Sequence, residues 1–284
     1  MPANHINSNF LIAFGQDAIV GAAIHDGHAM RDGLRDLSGL TDDERLREED
    51  PFTGLWAAIC DSRIVGKCSR FEVDLNRPRD KAVYQQPTDA WGLNIWKSPL
   101  SETEISQSLA IYDQFFRAVR TLLTKMLKTH ERIVVLDLHS YNHRRNGENA
   151  AEAKPLDNPE VNIGTGTFDR DAWGPWLDRF MADLRDFDFD GRHLDVRENV
   201  KFRGGEFGKW IHQSFPGRVC APAIEFKKFF MDEWTGRPDV RMLGWIGDAI
   251  KSTLPGIREE LEQMESDSSN DTVRGSRRRG STTL

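Results

Sequence analysis

Residues 134–141, VVLDLHSY, constrain what this chain can fold into more than any other stretch. From Ile133 to Leu138 the run is apolar and rich in β-branched residues, broken only by Asp137. A segment with no polar face suits a strand covered on both sides, as in the parallel sheet of an α/β protein. Ahead of it, Ser101 and Glu104 form a capping-box pattern that satisfies free N–H groups at a helix start. Ile105, Leu109, Tyr112, Phe116, Val119, Leu123, Met126 and Leu127 then recur at helical spacing. A long amphipathic helix leading into a buried strand is half of a βαβ unit, and the periodic stripe is a core face.

The rest of the chain fits that frame. Ala18 to His25 (AIVGAAIH) is a second buried strand that ends in polar residues, and a charged helical stretch runs from about Arg31 to Glu49. Pro51 can open another helix, because its missing N–H costs nothing in the first turn. Arg63 to Lys67 and Ser69 to Leu75 read as strands. Asn142 to Pro159 is a long polar loop of the kind that often carries function. Val161 to Gly164 is a strand, and Asp169 to Phe187 a Trp-rich helix. Val219 to Phe226 (VCAPAIEF) is an apolar strand presenting Glu225, and Pro238 to Met264 is helical. With 284 residues the chain is long enough for one sizeable α/β domain, expected over 1–264. Residues 265–284 are rich in Ser, Thr, Gly and Arg without apolar periodicity, and read as a disordered basic tail.

The formal charge of −7 speaks against general affinity for nucleic acid. No apolar run approaches a membrane span. Cys60, Cys68 and Cys220 lack CxxC spacing and are too few for a disulfide framework or a thiolate metal site. Nor does the N-terminus show a basic segment followed by an apolar core. The expectation is a cytoplasmic protein.

Four polar clusters fall at the ends of apolar runs: His25-Asp26-Gly27-His28, Asp74-Leu75-Asn76-Arg77, Asp137-Leu138-His139-Ser140, and Glu225. Ligands of open α/β sheets bind beyond the carboxyl ends of the strands, where such clusters converge. Imidazoles, carboxylates, an amide and a guanidinium at one face are what a hydrolytic metal site needs. Each cluster also has a plainer reading. His25 and His28 can be ordinary loop histidines, Asp137 a strand-end carboxylate paired with arginine, and Arg70, Asn76 and Arg77 part of a surface charge cluster. Asp137, two residues from His139, shares its strand face and can orient a ligand histidine. Asn76 and Arg77 suit a carboxylate. Glu225 is costly as an unpaired buried charge, so it either meets a cation or acts as a tuned general base.

Taken in chain order, IHDGH (24–28), REEDPFTGLW (47–56), SRFEVDLNRP (69–78) and VVLDLHSY (134–141) resemble the N-formylglutamate amidohydrolase family over most of the chain to about Phe230. More distantly they resemble zinc carboxypeptidase-like and aspartoacylase-like enzymes. The resemblance implies a phosphorylase/hydrolase-like fold: one three-layer α/β domain around a central mixed, mostly parallel sheet. It implies one zinc ion held by His25 and His139, with His28 or Asp50 as the second ligand and Glu49 a weaker choice. It implies Arg70 polarising the scissile carbonyl, Asn76 and Arg77 holding the substrate α-carboxylate, and Glu225 as the catalytic glutamate. The partner implied is a small N-acyl amino acid such as N-formyl-L-glutamate. Two other readings stay open: a carboxypeptidase-type zinc peptidase, and a catalytically silent binding protein using a Trp-rich surface. The first motif reads IHDG where the family has PHSG, which bears on substrate identity more than on reaction type.

Overall fold

The apolar run becomes a strand buried at every position, at the centre of a mixed sheet. The computed structural model describes residues 5, 6 and 8–279, with side chains over 8–267. In chain order the strands are β1 (His5–Ile6), β2 (Phe10–Ala13), β3 (Ile19–Ala23), β4 (Ser62–Gly66), β5 (Ile133–Tyr141), β6 (Val161–Gly164), β7 (Val196–Glu198), β8 (Val219–Cys220) and β9 (Ala223–Lys227). They lie side by side as β1-β2-β4-β3-β5-β9-β6-β7, with β8 also paired to β5. The central strands β4, β3, β5 and β9 run parallel. Antiparallel pairing adds β2 on one side and β6 on the other.

The helices are α1 (Asp32–Leu37), α2 (Asp42–Glu48), α3 (Thr53–Ala57), α4 (Glu102–Met126), α5 (Arg170–Asp186), α6 (Glu206–Ser214) and α7 (Val240–Arg279). Alternation along β5 divides them into two layers. Val134, Leu136 and Leu138 pack with Trp56 of α3, Trp173 and Trp176 of α5 and Ile250 of α7. Ile133 and Val135 point the other way, toward Phe116 and Val119 of α4 and Ile211 of α6. Each such side chain, fully buried, contributes about 1.5–3 kcal/mol, so both faces of the sheet are held strongly. The result is a three-layer α/β domain with a mostly parallel centre. No described helix is long and apolar enough to cross a membrane.

Helix α4 begins as its sequence predicts: Ser101 Oγ accepts from Glu104 N, and the Glu104 carboxylate accepts from Ser101 N at 2.6 Å. Four expectations need revision. The 31–49 helix is two short ones, because Thr41 and Glu44 form a second capping box that starts α2 afresh. Ser69 to Leu75 is a series of turns instead of a strand: Glu72 N and Val73 N donate to Ser69 O, and Ser69 Oγ accepts from Phe71 N. Local side-chain bonds of this kind compete with a strand ladder. Val219 to Phe226 is split into β8 and β9 around Pro222, which has no N–H to donate. The last helix starts at Val240 instead of Pro238 and is described to Arg279, past the expected Met264; the side chains of 268–284 lie outside the described residues. Trp173 and Trp176 are buried in the core, so the Trp-rich helix offers no aromatic surface for a partner.

Candidate functional site

Parallel strands aim their carboxyl ends at one edge of the sheet, and there the polar clusters meet. His25 follows β3, His139 lies near the end of β5, and Glu225 sits opposite His139 in the β5–β9 register. Directly opposed residues share a face, so the imidazole and the carboxylate both point into one cavity. Asp50 arrives from the turn between α2 and α3, where its N–H donates to His25 O at 3.0 Å. Thr53 Oγ1 donates to Asp50 O at 2.7 Å and braces that turn. Arg70, Asn76 and Arg77 come from the coiled segment after β4. The cavity, about 270 Å³, is lined by all of these residues.

His25, Asp50 and His139 form a buried group able to hold a metal ion, their donor atoms within 4.8 Å of one another. His139 Nδ1 is 3.0 Å and His25 Nδ1 3.4 Å from Asp50 Oδ2. Each ring turns its other nitrogen to a buried carboxylate. His25 Nε2 donates to Asp74 Oδ1 at 2.8 Å. His139 Nε2 lies 3.0 Å from Asp137 Oδ1, a charge contact outside good hydrogen-bond alignment. Each Nδ1, which meets Asp50 Oδ2 here, is therefore the nitrogen that would bind a cation in place of a proton, the arrangement by which outer carboxylates fix a ligand histidine's tautomer. His28 is not in the group. Its Nδ1 pairs with Glu49 Oε2 at 2.6 Å, away from the cavity, and Glu49 is occupied there and with Ser69 Oγ.

The electrostatics follow from the crowding of carboxylates around two imidazoles. Burial works against charge on Asp50, yet hydrogen bonds from His139 and His25 hold its carboxyl well below the usual range. Burial likewise opposes the Asp74 charge, and Arg70 and His25 more than offset it. His139 is disfavoured as a cation by burial, but Asp137 and Glu225 raise its pKa well above the usual value. Glu225, which is partly open to the cavity, is pushed up to about 7 by burial against a weaker lowering influence of His139. Four acids thus surround two rings, a well of negative charge that suits a divalent cation.

Asp74 joins the group of His25, Asp50 and His139 to Arg70 and Asn76 across the cavity. Its Oδ2 accepts from Arg70 at 2.9 Å and from Tyr84 Oη, and its Oδ1 accepts from Asn76 N at 2.8 Å. Arg70 also donates to Glu48 O and lies over the Trp91 ring. The Asn76 side-chain oxygen accepts from Phe207 N at the start of α6. Arg77 is half-exposed and reaches Asp89 O at 3.4 Å. The pocket also contains residues that no motif announced. Lys228, buried, donates to Arg47 O at 2.6 Å and Glu49 O at 2.7 Å, beside Asp50. Trp91, Arg145 and Phe202 form the mouth. The only hint of Lys228 was its place just after Glu225, and of Arg145 its place in the long polar loop.

Fold and site together define an α/β protein with a metal-competent pocket at the carboxyl ends of its parallel strands. A family model described as N-formylglutamate amidohydrolase matches residues 18–230, and the chain belongs to that family. Its fold is similar to that of an N-formylglutamate amidohydrolase from Ralstonia eutropha, with a TM-score of 0.67 and 17% identity. That alignment covers 92% of this chain and 100% of the other. A gene product of Agrobacterium tumefaciens is also similar, with a TM-score of 0.62, 17% identity, and coverage of 89% and 97%. A comparison with curated proteins finds no significant match.

Proposed function

We propose that the protein is a zinc-dependent amidohydrolase that cleaves an N-acyl amino acid to the free amino acid and a carboxylic acid. N-formyl-L-glutamate is the first substrate to test. The observation that carries this reading is the convergence of His25 Nδ1, Asp50 and His139 Nδ1, with both histidines held from behind by carboxylates. Two imidazole nitrogens and one carboxylate oxygen are a donor set that suits one zinc ion, with a coordination position left for water or substrate. Bound there, zinc would supply a Lewis acid for the amide oxygen and ease deprotonation of water.

The protein's own groups do the rest. Asn76 and Arg77 hold the α-carboxylate and so fix the amide over the three ligands, which is orientation supplied by remote binding. Glu225 takes a proton from the attacking water onto its carboxylate as the new C–O bond forms. It then passes that proton to the amide nitrogen as the C–N bond breaks. Arg70 donates to the carbonyl oxygen as negative charge develops on it. Tyr84 and Asp74 keep that guanidinium in place. The unpaired, buried cysteines suit a reducing compartment, in keeping with the cytoplasm.

Two substitutions separate these roles. His139→Ala should lose both stoichiometric zinc and release of free amino acid. Glu225→Ala should keep the zinc and lose turnover by about 10²–10⁴-fold, the usual contribution of a general base. Retained turnover in either variant would remove the role assigned to that residue. Purified protein with no stoichiometric metal, and indifferent to chelator, would remove the reading as a whole.

A further inference from the structure

On the amidohydrolase reading above, we propose that the catalytic pocket continues into a second chamber built for an anionic acyl group, so that the preferred substrates are amino acids acylated by a dicarboxylic acid. A cavity of about 530 Å³ lies against the catalytic one and shares Glu48, Trp91, Asn142, Arg145 and Phe202 with it as a common wall. It touches neither Asn76 and Arg77 nor His25 and His139. With the α-carboxylate at Asn76 and Arg77 and the scissile carbonyl at the three ligands, the acyl group and the amino-acid side chain are the parts of the substrate left, and the proposal assigns the acyl group to this chamber. A formyl group, with only a hydrogen beyond the carbonyl, would reach none of that space.

The lining combines cations with the apolar side chains of Trp91, Leu93 and Phe202. Arg47, Arg145 and Lys201 face the chamber. Glu48 is shared between Arg145 at 3.3 Å and Arg47 at 3.5 Å. Glu233 accepts from the backbone N–H groups of His143 and Arg144. Lys201 Nζ donates to the neutral amide oxygen of Asn158 at 2.5 Å. Burial and the neighbouring Arg145 charge both lower the Lys201 pKa, a repulsion that an anion between the two would relieve. Arg145 can meet a carboxylate with two parallel hydrogen bonds.

At the seam between the chambers stand two exposed aromatic rings, Trp91 at 49% and Phe202 at 37%. Trp91 holds a left-handed backbone, φ 54°, and its ring centroid is 4.9 Å from the Arg70 guanidinium and 5.8 Å from that of Arg145. A bulky residue adopts that conformation at a cost, and such strain gathers at ligand sites. It places an apolar ring beside the path an acyl chain would take.

The test uses the full-length, zinc-loaded protein and two L-amino acids, glutamate and alanine, each carrying formyl, butanoyl, succinyl or glutaryl groups. kcat/KM is read from release of the free amino acid. Succinyl or glutaryl should exceed formyl, and succinyl should exceed butanoyl by about tenfold or more, the scale of one charge-assisted hydrogen bond. Lys201→Met and Arg145→Met, on separate segments, should each lower the succinyl-to-butanoyl ratio by about tenfold. Equal rates for succinyl and butanoyl, or formyl as the fastest substrate, would overturn the acyl chamber and leave the amidohydrolase reading standing. So would a ratio that follows the amino-acid side chain instead of the acyl group. No cleavage of any N-acyl amino acid by zinc-loaded protein would take both down together.

Discussion

His25 and His139 each present one ring nitrogen to Asp50 and turn the other to a buried carboxylate, Asp74 or Asp137. On the proposed metal reading these rear contacts decide which nitrogen would meet the ion, so the outer acids would matter as much as the ligands. Lys228 acts one step further back, through the carbonyls of Arg47 and Glu49 that set the turn bearing Asp50. Lys228→Met should weaken zinc affinity by about tenfold or more, read by competition with a chelating dye; unchanged affinity would make the lysine a packing residue only. In its proposed role as general base, Glu225 gives the pH dependence its sign. As a base it must be deprotonated, and burial pushes its carboxyl up to about 7 in the absence of a cation. Bound zinc favours the carboxylate, so kcat/KM should rise with pH through a limb at or below pH 7. That limb should be missing from the residual activity of Glu225→Gln.

At the scale of elements, the site depends on how closely α3 sits on the sheet. A side chain at Gly21 of β3 would run into the backbone of Ala57, at the end of the helix that follows Asp50. Gly21→Ala should therefore push α3 outward, cost about 1–3 kcal/mol as an overpacked core does, and weaken zinc binding as well. Ser101→Ala removes a cap at the remote end of α4 and should cost about 1 kcal/mol with zinc affinity unchanged. Urea unfolding and zinc titration of both variants check the pair. Equal zinc affinity in the two would detach α3 from the site. The coil between β4 and α4 makes the same point from the other side. Ser69 to Leu75 alternates like a strand, but its residues bond to one another in turns and so bring Arg70 and Asn76 into one pocket with Asp74 bonded behind them.

At the scale of the whole molecule, the three donors come from chain positions 25, 50 and 139, and only the assembled sheet brings them together. An ion bound by the native state and not by the unfolded chain must stabilise the fold, by about 2.7 kcal/mol at a hundredfold excess over Kd. Stripping zinc with chelator should lower the melting temperature in scanning calorimetry, and returning it should restore the transition. A melting temperature blind to zinc would mean that the three residues do not jointly bind it. Because β5 packs against helices on both faces, the loss should appear as one cooperative shift of the whole transition.

Much of this was legible beforehand. The apolar run of β5, the capping box of α4 and the polar endings of β3, β5 and β9 are short-range patterns, and short-range patterns report local structure and which end of a strand meets solvent. They place His25, His139 and Glu225 at one edge of an α/β sheet, whereas the strand expected to end at Asn76 and Arg77 proves to be a series of turns. His28 and Asp50 could not be separated that way, since one lies three residues from His25 and the other twenty-five. Tertiary structure separates them: Glu49 draws His28 aside, while the Asp50 N–H bond to His25 O and the buried Lys228 fold the acid inward. The mouth formed by Trp91, Arg145 and Phe202 is likewise a product of packing, because segments far apart in the chain meet only where the sheet makes them neighbours.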